Sequence, residues 1–411
     1  MMDYLDVYLH EKKVGVLASD KGRMAFTYSP EYLNQPDAEP LAYTLPLSAE
    51  PYSGGNVVSF FSNLLPDESV RIRVAEILNV SPENIFGLLK EIGEDCAGAV
   101  ALFSPEKKPL TSGEMIFAPL SEDDTHDILS SLSDRPLNVG AEDFHISGAG
   151  AQDKLVASVQ KGKVYLPLKG TPSTHIIKPG IQRFPESVFN ELYCMKLAKK
   201  CGIATANCDV LYIKDIPYYV TERYDRSKNG NIWTRLHQED FCQLLGYEPS
   251  IKYESEGGPK LLQCFKLLYD LELPANDRIE FLDRIIFIFL IGNGDAHAKN
   301  FSVLYQNGRP RLAPAYDLLS TVVYPDLSPK LAMKIDNEYN FRWITHGKML
   351  RMGVKAGFTE KIVVKEILAM QKKLDRVLEK FTADMQEKYP ADIYNKIHNG
   401  IIERMKQILP Q

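Results

Sequence analysis

Ile291-Gly-Asn-Gly-Asp-Ala-His-Ala-Lys-Asn-Phe301, followed by Ala313-Pro-Ala-Tyr-Asp317, is the stretch on which the reading of this chain turns. It gathers Asp295, Asn300 and Asp317, with His297, Lys299 and Tyr316 among them, into a short polar island. Upstream, residues 281–291 are apolar except for Asp283 and Arg284, which predicts a buried helix that stops at Gly292. A polar loop that opens out of a rigid buried element is a usual home for catalytic and binding residues. Asn307-Gly308, between residues 301–305 and 311–313, predicts a hairpin that sets how far Asn300 lies from Asp317, 17 residues further on.

That spacing matches the parts of a protein-kinase active site: an Asp, an Asn five positions later, and a second Asp beyond a hairpin. In such a site Asp295 accepts the proton of an attacking hydroxyl. The Asn300 amide oxygen and the Asp317 carboxylate are hard oxygen ligands for Mg2+ on the phosphates of ATP. Asp, Asn and Gly are also ordinary turn residues, so the weight of the reading falls on whether other kinase parts occur upstream in order.

The chain has 411 residues, 45% hydrophobic and 25% charged, which predicts a globular protein of two or three domains. Its formal charge of −6 gives no whole-molecule attraction to nucleic acid or membranes. The six cysteines, at 96, 194, 201, 208, 242 and 264, contain no C-x-x-C pair and read as reduced core thiols. The start has neither a basic nor an apolar leader region, and no apolar run is long enough for a membrane span. The expectation is a cytoplasmic protein that does not engage a membrane.

In chain order, residues 3–50 read as an antiparallel meander. Helices are expected at 67–78 and from Ser81-Pro82, where Ser would cap and Pro would take the first helical position. A buried strand over 96–103 and a linker at 104–109 would close a small α+β subdomain. Next comes Phe144-His-Ile-Ser-Gly-Ala-Gly-Ala-Gln-Asp-Lys154, ahead of strands at 155–159 and 164–168. Its small residues at 148–151 let backbone approach an anion, free N–H groups there can cradle phosphates, and Lys154 adds charge. A tight strand connection explains the same residues. The run Ser173-Thr-His-Ile-Ile-Lys-Pro179 puts Lys178 at the end of a strand, where a kinase carries its phosphate-binding lysine; an edge-strand lysine in water is the plain alternative. A helix over 186–200 offers Glu191, or Glu186, as the partner of that lysine. Strands at 206–213 and 218–222 follow. Glu222-Arg-Tyr-Asp225 then stands where the segment between kinase lobes holds adenine, with Asp225 in reach of a ribose hydroxyl. Helices dominate from Gln238 onward.

Ser147-Gly-Ala-Gly-Ala-Gln-Asp-Lys154, Ser173-Thr-His-Ile-Ile-Lys178, Glu222-Arg-Tyr-Asp-Arg226, Lys252-Tyr-Glu-Ser-Glu-Gly-Gly258 and Gly294-Asp-Ala-His-Ala-Lys-Asn-Phe301 occur in this order. Together they resemble the HipA-like serine/threonine kinases, the toxins of HipBA-type toxin–antitoxin modules. The resemblance runs over nearly the whole chain. It implies an α+β, two-lobed protein-kinase-like fold: an amino-terminal subdomain at 1–105, a kinase N-lobe-like region at 106–225 and a helical C-lobe at 226–411. It further implies that Asp295 is the base and that Asn300 and Asp317 hold Mg2+. Ala149, Gly150, Ala151, Gln152, Asp153, Lys154 and Lys178 would contact the phosphates of ATP, and Glu222, Arg223, Tyr224 and Asp225 the nucleoside. His297, Lys299 and Tyr316 would line the nucleotide site, and Ser147 falls where the family has an autophosphorylated serine. Gly148 departs from the family pattern and leaves that loop more flexible.

The resemblance implies as partners a helix-turn-helix antitoxin, operator DNA reached only through it, and a protein substrate in translation, with an aminoacyl-tRNA synthetase as first candidate. A small-molecule phosphotransferase of the aminoglycoside-kinase kind also fits residues 294–300, and a non-catalytic co-repressor is the third reading. From Trp343 to Gln411 there are 13 Lys/Arg against 8 Asp/Glu. Lys372, Arg376 and Lys380 form one helical stripe there, which reads as a solvated face or as a contact to DNA phosphates.

Overall fold

Apolar residues alternating with polar ones set the first strands. Asp3–Leu9, Lys12–Asp20 and Arg23–Tyr28 form the expected meander and turn Leu5, Val7, Leu17 and Phe26 inward. The structure, a computed structural model, describes residues 2–110, 115–140, 145–230 and 232–410; Phe144, at the head of the glycine-rich stretch, lies outside them. The chain folds as two units.

The first unit comprises Met1–Pro179, Leu211–Ser250 and Leu304–Arg309. One antiparallel sheet runs in the order Tyr52–Ser53, Arg23–Tyr28, Lys12–Asp20, Asp3–Leu9, Val100–Phe103. Gly15, opposite Tyr28, is required there, because a Cβ would lie 2.2 Å from the Thr27 carbonyl oxygen. The helix expected from Ser81 begins later. Ser81 to Asn84 forms a turn, and the Asn84 side chain accepts the Gly87 N–H at 2.9 Å, capping the helix Ile85–Ile92. The fifth strand is likewise shorter than predicted, at Val100–Phe103.

A second sheet has the order Cys208–Ile213, Ile216–Glu222, His175–Lys178, Leu155–Gln160, Lys163–Leu168, Ile116–Pro119. Lys178 is therefore on an interior strand, with Tyr219 opposite it, and is buried. Strand Ile116–Pro119 and helix Glu122–Ser130 are not among the expected elements, although the helix begins at a capping box formed by Ser121 and Asp124. A single apolar cluster runs from Leu5 and Phe26 through Phe60 and Phe61 to Leu155, Ile177 and Tyr218, so residues 1–105 share a core with the sheet that carries Lys178.

An ionic cluster lies in the same unit. Asp95, fully buried, receives Arg226 at 2.8 Å, Arg235 at 3.0 Å and Arg223 at 3.3 Å. The Ser173 N–H and hydroxyl also donate to it, at 3.0 and 2.5 Å. Asp225 takes Arg223 at 2.8 Å, Arg226 at 3.0 Å and the Gly98 N–H at 2.7 Å.

Glu239, also fully buried, accepts from the Tyr305 hydroxyl at 2.7 Å and the Tyr43 N–H at 2.9 Å on one oxygen. Its other oxygen has no hydrogen-bond partner among the described residues. Burial pushes this carboxyl up from 4.5 to about 7, more than the two hydrogen bonds pull it down. The folded state therefore binds this proton more tightly than the unfolded chain does. The resulting stabilisation is whole below pH 4.5 and is lost as pH rises through about 7. Urea unfolding from pH 4.5 to 7.5 is expected to cost the wild type roughly 2–3 kcal/mol more than Glu239→Gln. Parallel pH curves would remove this assignment.

The second unit comprises Gly180–Val210, Ile251–Val303 and Pro310–Gln411. At its centre is the helix Ala275–Ile291, whose residues from Phe281 to Ile291 are buried apart from Asp283. The two charges in that run have partners: Arg284 donates to the Ala313 carbonyl at 2.7 Å and pairs with Glu280 at 2.6 Å, while Asp283 lies 3.7 Å from Lys373. The 29-residue helix Glu360–Lys388 packs on this helix and on Ser187–Lys200, His346–Lys355 and Ile393–Ile408. Lys372, Arg376 and Lys380 are exposed on it, with Asp375 and Glu379 exposed between them. None of the six cysteines is in a disulfide, and all but Cys208 are buried. No helix among the described residues is long and apolar enough to cross a membrane.

Candidate active site

The helix Ala275–Ile291 ends because Gly292 turns left-handed, at φ +74°. A Cβ at Gly292 would lie 2.3 Å from Val322, so glycine answers both the conformation and the close approach. The buried helix end is closed by the Asn293 N–H on the Ile288 carbonyl, at 3.0 Å, and by the buried Arg404, whose Nε donates to Leu290 at 2.7 Å.

Asn293, fully buried, then does two jobs. Its Oδ1 accepts the Asp295 N–H at 3.0 Å, and its Nδ2 donates to the Asp317 carbonyl at 3.4 Å. A 3-10 turn, Ala298–Asn300, returns the chain so that Asn300 Nδ2 donates to Asp317 Oδ2 at 3.0 Å and to the Asp295 carbonyl at 3.4 Å. The Tyr316 hydroxyl donates to the Lys299 carbonyl and meets Ser302 Oγ, both at 2.7 Å. The predicted hairpin is present as Ser302–Gln306 and Arg309–Leu312, with Asn307 at φ +51° and Gly308 at φ +70° in the turn.

Asp317 itself is left-handed, at φ +56°, a conformation that costs a side-chain-bearing residue on the order of 1 kcal/mol and persists only where its surroundings impose it. The segment that follows it is held at two points. Asn190, on helix Ser187–Lys200, bonds both ways with Ser320, its Nδ2 to the carbonyl and its Oδ1 to the N–H, each at 2.8 Å. Thr321 ties the same segment to the loop that begins at Gly292: its N–H reaches the Gly292 carbonyl at 2.9 Å, and its hydroxyl accepts the Gly294 N–H at 2.7 Å. Asn293, Asn300, Tyr316 and Asp317 line one small pocket of this unit. Asn190, Asn293 and Thr321 escaped the sequence reading, since a buried amide or hydroxyl carries no signal until its partners are known.

In the first unit the glycine-rich stretch is folded inward. Ser147 is buried, its hydroxyl donating to the Leu64 carbonyl at 2.5 Å and its N–H to the Asp95 carbonyl at 3.2 Å. A Cβ on Gly148 would stand 2.7 Å from Leu137, so this glycine serves close packing as well as loop freedom. Gly150 is at φ +105°, its carbonyl accepting the Asp67 N–H at 3.2 Å, and the buried Lys154 donates to the Ala149 carbonyl at 2.8 Å. Gln152 reaches the Pro179 carbonyl at 3.1 Å, Asp153 pairs with Arg73 at 2.6 Å, and Lys178 lies 5.5 Å from the Tyr219 ring. The Asp225 carboxylate and the Arg223 guanidinium are committed to the ionic cluster around Asp95, the Glu222 side chain is exposed, and the Tyr224 hydroxyl donates to Gln238. Lys178 belongs to this unit, and the buried Glu191 to the other.

The amino-terminal and carboxy-terminal parts each match a family model, the HipA N-terminal domain over residues 5–103 and the HipA-like C-terminal domain over residues 146–387. The chain belongs to the HipA family. It is 44% identical over 337 residues to a putative kinase, Y4mE, of Sinorhizobium fredii, a match covering 80% of each chain. It is 31% identical over 352 residues to the serine/threonine-protein kinase toxin HipA of Shewanella oneidensis, covering 82% of this chain and 79% of that one. Among solved structures it is similar to the Shewanella oneidensis MR-1 toxin–antitoxin complex of HipA, HipB and operator DNA. The match has a TM-score of 0.82 at 25% identity and covers 98% of this chain and 96% of that one. The kinase-like HipA fold expected from the order of the motifs is the fold this HipA-family chain has.

Proposed function

We propose that this chain is an ATP- and Mg2+-dependent serine/threonine protein kinase acting as the toxin of a toxin–antitoxin module. One observation carries the reading: Asp295, Asn300 and Asp317 are bound into a single frame, with Asn300 Nδ2 3.0 Å from Asp317 Oδ2. The donor set suits the cation. A carboxylate and an amide oxygen are the hard ligands that magnesium takes alongside phosphate oxygens, and Asn300, whose Nδ2 faces Asp317 Oδ2 here, would offer its Oδ1 on turning the amide over. When bound, the cation supplies charge neutralisation on the triphosphate. Asp295 accepts the proton of the acceptor hydroxyl as its oxygen bonds to the γ-phosphorus and the bond to the β-bridging oxygen breaks, releasing ADP.

Residues 149–154, with Lys178, would hold the phosphates, and the backbone of Glu222, Arg223 and Tyr224 the adenine. Asp225 would hold that segment in place through the Asp95 cluster, and His297, Lys299 and Tyr316 would complete the nucleotide site. The partners that follow are a helix-turn-helix antitoxin and, through it, operator DNA, by analogy with the similar solved complex of HipA, HipB and operator DNA. The acceptor would be a component of translation in the cytoplasm, an aminoacyl-tRNA synthetase first among the candidates. Radiolabelled ATP incubated with the protein alone, with aminoglycosides and with cell extract tests the class. Label is expected on protein with the wild type and not with Asp295→Gln. Label on the aminoglycoside, or equal labelling by both proteins, would overturn the reading.

Ser147 is proposed as the autophosphorylation site. A phosphate brings about −1.5 to −2 charges, and the buried hydroxyl on Leu64 has no room for it, so modification would drive the loop out of its inward position. Intact mass after Mg·ATP is expected to gain one phosphate on the wild type and none on Ser147→Ala. An unmodified wild type that still labels other proteins would remove this assignment.

A further inference from the structure

The Tyr253 hydroxyl donates to Asp295 Oδ1. Nothing in the kinase chemistry above uses this tyrosine. Its backbone is held by a compact coil: the Glu256 and Gly258 N–H groups both donate to the Tyr253 carbonyl, at 3.0 and 2.9 Å. Gly258 packs so closely that a Cβ would lie 2.1 Å from the Ile251 carbonyl oxygen. The next residue, Glu254, anchors the coil to strand Lys330–Ile335 by accepting the Lys334 N–H at 2.7 Å. The Tyr253 ring stands edge-on to His297 of the catalytic loop, with centroids 5.0 Å apart and planes at 86°. A phenol built on so short and pinned a turn is a fixed group rather than a swinging one.

We propose that Tyr253 is a positioning residue for phosphoryl transfer: its hydroxyl holds one oxygen of the Asp295 carboxylate, so that the other is aimed at the proton of the acceptor hydroxyl. The inference rests on the kinase reading and adds to it a residue from a separate segment of the chain. A carboxylate rotates freely about its last bond. The Asn293 contact acts on the Asp295 backbone, through its N–H, and does not reach the carboxylate, whose rotation is a separate freedom. The phenol restricts it, and the charge-assisted bond places the occupied oxygen away from the reaction.

Full-length wild type and Tyr253→Phe are compared for ATP hydrolysis with water as acceptor and for self-phosphorylation at saturating Mg·ATP, with a fluorescent ATP analogue measuring nucleotide affinity. Tyr253→Phe is expected to lower kcat about ten- to a hundredfold while the KM for ATP and the analogue's Kd stay within about twofold. In an Asp295→Asn background, the residual hydrolysis should fall by less than about threefold on adding Tyr253→Phe, because the carboxylate that the phenol orients is gone. A faster Tyr253→Phe enzyme would mean that the tyrosine blocks the base, and equal rates would mean that it does not act on it; either overturns the inference and leaves the kinase reading intact. Equal losses in both backgrounds would reduce Tyr253 to a packing residue. A wild type that binds the analogue but transfers no phosphate to any acceptor ends both.

Discussion

Asp95→Ala is expected to destabilise the protein by on the order of 3–5 kcal/mol, the cost of removing one member of a buried ionic group and leaving its partners charged in the interior. Asp95 has no exposed surface and faces three guanidinium groups, two of which, those of Arg223 and Arg226, also contact the cluster's second carboxylate, Asp225. Take Asp95 away and Asp225 is left facing Arg223 and Arg226, Arg235 loses its contact with the cluster, and the Ser173 hydroxyl and N–H lose their acceptor. Asp95→Asn keeps the shape but not the charge, and should recover only part of the loss. The guanidinium groups hold the Asp95 carboxyl well below the usual carboxylate range, against the opposing effect of burial. A depressed folded-state pKa gives stabilisation that is present above the unfolded value and lost only as pH falls through the folded one, so the cluster should survive mild acid. Chemical denaturation of wild type and both variants at neutral pH reads the effect. A change under 1 kcal/mol for Asp95→Ala would show that solvent or rearranged partners compensate, and that the cluster does not set the stability of this unit.

Asp317→Asn should lower phosphoryl transfer by about a thousandfold or more while leaving the fold nearly unchanged, because on the proposed reading the substitution removes the charge that would hold the metal and little else. Asn is among the few residues that accept the left-handed conformation at this position. Its shape also preserves a carbonyl-type acceptor for Asn300, 3.0 Å away. A β-branched replacement, Asp317→Val, adds a backbone penalty of about 1–3 kcal/mol and should lower the melting temperature as well as the rate. Comparing rate and melting temperature for the two variants separates chemistry from strain. Wild-type rates in Asp317→Asn at saturating Mg·ATP would move the metal site elsewhere.

Much of the candidate site was readable in the linear chain because its signals are local. A buried helix cut off by Gly292, a turn built on Asn307-Gly308 and a β-branched run ending at Lys178 each depend on residues within one or two turns of each other. Backbone sterics and burial period decide such features with little help from distant parts. The start of the helix Ile85–Ile92 was also local, yet two capping signals competed there, and Asn84 rather than Ser81 took the cap.

What the sequence determined by itself is thus the order of the elements and the residue types at their ends, which was enough to identify a kinase-like chain. Tertiary structure alone decided which polar side chains are spent on holding the frame. Arg223, within the expected adenine segment, and Asp225, next to it, are drawn into the cluster around Asp95, 128 residues from Arg223. Asn190 grips Ser320 across 130 positions, and Tyr253 reaches Asp295 across 42. The physical reason is that a buried charge or amide must find a partner wherever the fold brings one, and that choice is made by packing between distant segments, which no local pattern encodes.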